Sequence, residues 1–191
     1  MARKAKIIKV GLDFDGVVAY NPFRVIRAPI TTFKRKVLKI KRLKFFLPKY
    51  GWQIFLWRIL HESSVFPADG VELLKKMVAK REIEVYLITA RYDCLNQNLD
   101  KWLNKYNLKK LFKSVIVNIN NEQPHEFKRR IITEKKCNFF VEDNLDIVEF
   151  LDRNCTVPVC WIYNLVDKAF FKRPGFSCLR EALLWIKEQK V

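Results

Sequence analysis

Residues 6–18 read KIIKVGLDFDGVV, and this stretch decides the fold. Lys6 to Leu12 is a short apolar run, the pattern of a strand buried on both faces. It ends in Asp13-Phe14-Asp15-Gly16. Residues n and n+2 of an extended segment point the same way, so both carboxyl groups face one site. Gly16 then lets the backbone turn sharply. Working outward, similar runs recur at 83–88 (IEVYLI), Ser114 to Val117, 137–141 (CNFFV) and Val157 to Ile162. Helical patterns separate them: Val71 to Ala79, Asn96 to Tyr106, Glu126 to Lys135 and Leu145 to Arg153, with Leu179 to Lys187 closing the chain. Five short strands alternating with helices predict an α/β domain with a doubly wound, mostly parallel sheet. In such sheets ligands bind at the carboxyl ends of the strands.

The strand ends are rich in chemistry. Strand one offers Asp13 and Asp15, and strand two ends in Thr89-Ala90-Arg91. Lys128 opens the helix leading into strand four, which ends in Glu142-Asp143-Asn144, with Asp146 close behind. Crowded carboxylates need a cation, and hard oxygen ligands favour Mg²⁺. A carboxylate can act as nucleophile through an acyl phosphate, and a second carboxyl can protonate the leaving oxygen. A lysine and a threonine can hold phosphoryl oxygens as charge builds. The residues therefore point to phosphoryl transfer. Some assignments have alternatives: Thr89 as a helix cap, Arg91 in a structural ion pair, Arg129 or Arg130 in place of Lys128, and Asp146 as a helix-start acid.

The ordered set LDFDGVV (12–18), LITAR (87–91), Lys128 and FVEDN (140–144) resembles the four motifs of the haloacid dehalogenase-like (HAD) superfamily. The resemblance covers residues 5–18 and 65–165. It implies a Rossmannoid three-layer fold and a Mg²⁺-dependent phosphatase. Asp13 would be the nucleophile and a metal ligand. Asp15 would be the general acid/base and offer its carbonyl to the metal. Thr89 would bind the phosphoryl group, with Gly16, Ala90 and Arg91 as further substrate contacts. Lys128 would stabilise nucleophile and phosphoryl charge, and Asp143 would be the third metal ligand, with Glu142 beside it or acting through water. An Asp at position 15 favours phosphatases or phosphomutases over dehalogenases, whose leaving group needs no proton. Val17 stands where many phosphatases of the superfamily carry Thr. The T-A-R of motif two, followed by a helix with Trp102-Leu103, looks most like the 5′(3′)-deoxyribonucleotidase-like branch.

The alternation fails once. About seventy residues separate strands one and two, against ~30 for one βα unit. The excess, 18–64, reads as a small helical cap inserted into a core of 1–17 and 65–191. Thr32 is placed to cap a basic helix through Phe46. Tyr50 to Leu60 reads as a second helix, with Trp52, Phe55, Leu56, Ile59 and Leu60 on one face; Ile54 and Trp57 lie off it, which predicts burial on more than one side. The cap's aromatic residues are expected to form mostly its own core.

Charge is concentrated in the same window. Gly16 to His61 carries eleven basic residues and no acidic one, giving +11 of the chain's net +17. Such a field favours anionic partners. A small phosphorylated metabolite or nucleotide is the first expectation, nucleic acid bound through the basic cap the second, and an acidic membrane against Lys34 to Phe46 the third.

With 191 residues the chain can bury ~70% of its unfolded surface without a disulfide or metal staple. Half its residues are hydrophobic, which excludes a disordered chain. The longest uncharged run, Asn154 to Val166, is too short for a membrane-spanning helix. Five cysteines without a C-x-x-C read as buried, reduced thiols, and the expected location is cytoplasmic.

Overall fold

The computed structural model describes residues 7–22, 43–62, 66–164, 168–169 and 173–189. Its centre is a five-stranded sheet with every neighbouring pair parallel. Strands β1 (Ile8–Leu12), β4 (Ile83–Tyr92), β5 (Ser114–Asn118), β6 (Phe139–Glu142) and β7 (Val159–Trp161) lie in the order β5-β4-β1-β6-β7. β1 is central, flanked on one side by β4 and on the other by β6. The chain builds outward through β4 and β5, then returns across β1 to β6 and β7. That reversal puts the topological switch point at the carboxyl end of β1.

Alternation along the strands sorts the core into two faces. Val85 and Leu87 pack with Leu74 and Met77 of α2 (Val71–Ala79), Leu99 and Leu103 of α3 (Asn96–Lys105), and Leu183 and Ile186 of α6 (Leu179–Glu188). Tyr86 and Ile88 pack with Phe127 and Ile131 of α4 (Pro124–Glu134), and with Ile147 and Leu151 of α5 (Leu145–Asn154). The result is helix, sheet, helix: the three-layer α/β fold that the strand pattern predicts. β6 is displaced toward the carboxyl end of the expected run 137–141, and β4 runs on through Tyr92.

The chain leaves this core through a two-residue strand, β2 (Ala19–Tyr20), and re-enters through β3 (Phe66–Pro67), paired antiparallel with it. Between them lies α1 (Gly51–Glu62). The Gln53 side chain reaches back to the Lys49 and Tyr50 N–H groups, at 2.9 and 3.3 Å, and so caps the start of α1.

Two expectations about this insertion need correcting. The basic helix from Thr32 lies mostly outside the described residues, but its last four, 43–46, have no regular structure. Phe45 is instead held by the core: its N–H donates to Gln123 Oε1 at 2.8 Å, and Gln123 Nε2 donates to its carbonyl at 3.4 Å. A backbone fastened this way to a side chain 78 positions away is not available to a helix ladder. The second correction concerns α1. Its stripe of Trp52, Phe55, Leu56 and Ile59 is exposed, whereas the off-stripe Ile54 and Trp57 are half-buried. The helix turns its less apolar side inward because Trp57 packs on Phe46, and the helix rests on the short turn Asp93–Leu95 after β4.

Candidate active site

The site assembles at the carboxyl ends of β1, β4 and β6. Asp13 follows β1 directly, and its N–H donates to the Val141 carbonyl at 3.0 Å, tying the β1 and β6 ends together. The chain then coils tightly, with the Val18 and Ala19 N–H groups both bonding the Phe14 carbonyl. Gly16 is required twice. Its φ is +83°, and a Cβ there would run into the Asp143 carboxylate.

β4 reaches the site through an irregularity. Thr89 pairs with Val117 and Tyr92 with Asn118, so Ala90 and Arg91 bulge out of register with β5. Bulges re-aim side chains, and here Arg91 turns to Asp15. Its Nε and Nη2 donate to the two Asp15 oxygens at 2.8 and 2.6 Å, and its guanidinium lies 4.5 Å from the Phe14 ring centroid. Phe14 meets Trp102 of α3 edge-on at 4.9 Å. Arg91 thus takes the ion-pair role among its two sequence readings. Thr89 lies buried within the strand, not at a helix start, and its Oγ1 accepts the Arg91 N–H at 3.3 Å.

α4 begins with Pro124 at its first position, where the missing N–H costs nothing. One turn on, Lys128 is buried. Its ammonium lies 2.9 Å from Asp13 and 2.6 Å from Glu142. Arg129 and Arg130 instead point outward to Glu126 and Glu122. β6 ends in Glu142 and Asp143, both buried. Asn144 caps α5 by accepting the Asp146 N–H at 3.0 Å, which leaves Asp146 in the first helical turn, outside the acidic cluster.

The electrostatics follow from this crowding. Burial, reinforced by Asp143 and Asp15, pushes Asp13 up to about 6 even though Lys128 opposes it. Burial pushes Glu142 up to about 8, with Asp13 and Asp143 adding to the shift. For Lys128, burial favours the neutral amine, but the Asp13 and Glu142 carboxylates outweigh it and hold the ammonium well above the ordinary lysine range.

Asp13, Glu142 and Asp143 each present a carboxylate oxygen within 4.8 Å of the others. Among the described residues of the site, four carboxylates (Asp13, Asp15, Glu142, Asp143) face two buried cations (Lys128, Arg91). Fully ionised, the site is two positive charges short. An all-oxygen donor set with that deficit fits one hard dication such as Mg²⁺. The Asp15 carboxylate is turned to Arg91, so its contribution to a metal would come from its carbonyl.

Sequence reasoning missed several supports. The Trp161 indole donates to the Asp143 carbonyl at 3.3 Å, and the Asn144 N–H donates to Glu142 Oε1 at 3.1 Å. The apolar run through Val157 to Ile162 signalled a strand, but nothing in it signalled that its tryptophan would brace the acidic loop.

No protein-family model matches the chain, and no curated protein matches it. Solved structures do. The HAD-hydrolase YfnB of Bacillus subtilis, solved with magnesium, superposes with TM-score 0.60 at 12% identity, over 96% of this chain and 100% of that one. A beta-phosphoglucomutase from Thermotoga maritima gives 0.59 at 15% identity, over 95% and 99%. A chain of the Pnkp1/Rnl/Hen1 complex gives 0.53 at 13% identity, over 85% of this chain and 48% of that one. The chain has the fold of the HAD-superfamily hydrolases.

Proposed function

We propose that the protein is a Mg²⁺-dependent phosphomonoesterase that works through an aspartyl phosphate on Asp13, with a nucleotide or another small phosphorylated metabolite as substrate. The observation that carries this is the Asp13–Lys128 pair at 2.9 Å, buried at the switch point, with Asp15 two residues on and oriented by Arg91.

The chemistry divides among the chain's own groups. An Asp13 oxygen attacks phosphorus, and the bond from phosphorus to the ester oxygen breaks. Asp15, once protonated in competition with its Arg91 ion pair, gives that proton to the departing alcohol oxygen, then takes one from the water that attacks the acyl phosphate. That second displacement releases inorganic phosphate and restores the Asp13 carboxylate. Lys128 would neutralise the phosphoryl oxygens as the bonds exchange, and Thr89 would donate a hydrogen bond to them. Arg91 holds Asp15 in one orientation through two parallel hydrogen bonds, which a lysine could not reproduce. Mg²⁺, held by Asp13, Asp143 and the Asp15 carbonyl with Glu142 alongside, would supply charge neutralisation and orientation of the phosphoryl group. Residues 18–64 act as the cap that selects the substrate, and the location is cytoplasmic.

Phosphate release from a panel of phosphomonoesters tests the reading. The panel holds 5′- and 3′-nucleotides, sugar phosphates and end-phosphorylated oligonucleotides, with Asp13→Asn run beside the wild type. Release that needs Mg²⁺ and vanishes with the substitution is the expected result. A strong preference for oligonucleotide ends would move the substrate to nucleic acid. No release from any member would remove the enzyme reading.

A further inference from the structure

The outer face of α1 has no part in the proposed chemistry. Trp52, Phe55, Leu56 and Ile59 recur at helical spacing and are 66%, 64%, 50% and 47% exposed. Single exposed apolar residues are ordinary, but a helical stripe of four large ones marks a surface that something apolar covers. The charge around it narrows what that is. Lys44 and Lys49 are exposed, Lys49 at the foot of α1 where its N–H bonds Gln53, and the sequence offers no acid from Gly16 to His61, Glu62 being the first.

Three occupants are conceivable, and charge and chemistry separate them. A second copy docking by twofold symmetry would bring like-charged lysines, Lys49 of each copy among them, toward one another. A nucleic acid would match the charge and could stack on Trp52 and Phe55, but it has no use for Leu56 and Ile59. An anionic bilayer matches both features, with a negative surface and hydrocarbon just beneath it. Trp and Tyr favour that boundary, and Tyr50 is exposed at the start of α1. Twelve helical residues span ~18 Å, too short to cross a ~30 Å hydrocarbon core but long enough to lie in its surface.

We propose that α1 is an interfacial helix that docks the protein on anionic lipid, its Trp52–Ile59 stripe entering the headgroup boundary and Lys44 and Lys49 meeting lipid phosphates and carboxylates. Because α1 rests on the Asp93–Leu95 turn after β4, docking holds the carboxyl edge of the sheet close to the bilayer. This proposal stands independently of the phosphatase reading.

Cosedimentation of the full chain with vesicles tests it, using phosphatidylcholine alone and phosphatidylcholine mixed with phosphatidylserine. The wild type is expected to pellet with the mixed vesicles and stay in solution with the neutral ones. Tryptophan fluorescence should shift to the blue on binding. Trp52→Ser with Phe55→Ser should weaken binding about a hundredfold, roughly tenfold per ring withdrawn. Lys44→Glu and Lys49→Glu should each weaken it about fivefold or more, and added salt should weaken the wild type in parallel. These four positions are exposed, so circular dichroism and thermal midpoints should match the wild type. A wild type that ignores the mixed vesicles overturns the proposal, as does a serine variant that binds them equally well. Oligonucleotide binding lost in the serine variant, with no vesicle binding in the wild type, would assign the face to nucleic acid. A dimer that the serine variant dissociates would assign it to a second copy.

Discussion

The floor of the site and the insertion above it treat charge in opposite ways. On the floor, each described cation has an acid within 3 Å: Lys128 sits between Asp13 and Glu142, and Arg91 grips Asp15 with two nitrogens. In the insertion, a run of 46 residues carries eleven cations and no acid at all. Buried charges tolerate no such imbalance, because desolvation costs several kcal/mol per unpaired ion. Exposed ones do, since water and salt screen them. The floor therefore reads as chemistry, where charges are placed to act on one another. The insertion's sequence reads as recognition, where a one-signed excess of charge favours an anionic partner.

Four predictions press on this contrast, from the largest effect to the smallest. Asp13→Asn keeps shape and removes the nucleophile, so kcat for phosphate release should fall on the order of 10⁴-fold with folding intact. Lys128→Ala leaves Asp13 and Glu142 facing each other without their cation. It should cost about 3–5 kcal/mol in denaturant unfolding, besides a ~10²–10³-fold loss of rate. Neighbouring Arg130, whose partners Glu122 and Glu134 are partly or fully exposed, should lose less than ~1 kcal/mol on substitution by Ala. A large loss there would erase the distinction between buried and exposed pairing.

The third prediction uses pH. In metal-free protein Asp13 is raised to about 6 and Glu142 to about 8, both chiefly by burial. A carboxyl whose folded value is raised binds more protons folded than unfolded. Its contribution is fully present below the unfolded value and is lost as pH rises through the folded one. Between about pH 4 and 8 these two groups should therefore make the metal-free protein less stable by a few kcal/mol. Mg²⁺ should reverse the trend, because it binds the ionised form and stabilises by mass action. Thermal melts in chelator and in excess Mg²⁺ across that range check both signs, and Asp143→Asn should flatten the Mg²⁺ effect. The fourth prediction is a near-absence: Trp52→Ser in the exposed stripe should change unfolding stability by about 0.5 kcal/mol or less.

Much of this was legible before any coordinates. Strands buried in a parallel sheet are apolar on both faces, so their ends stand out; Asp13, Glu142 and Asp143 fall on or just beyond those ends, and Thr89 is the last residue of β4 before its bulge. Lys128 was harder, since a lysine on a helix signals nothing alone; order among the motifs singled it out. What stayed hidden depends on contacts far apart in sequence. Arg91 meets Asp15 across 76 positions, through a bulge that IEVYLITARY does not announce. Gln123 fastens Phe45 across 78 positions, and this keeps residues 43–46 out of the helix that local pattern favours there. The direction of the α1 stripe is hidden from the sequence for a related reason. Periodicity tells which residues share a face, but only the surroundings tell whether that face turns inward.

The central claim is that Asp13 carries the phosphoryl group between substrate and water. Acid quenching during turnover of the best panel substrate, followed by mass spectrometry of the digested protein, tests it most directly. The account predicts a phosphoryl adduct on the peptide containing Asp13, sensitive to mild base and absent from Asp13→Asn. Turnover at full rate by Asp13→Asn, or an adduct on another residue, would contradict it.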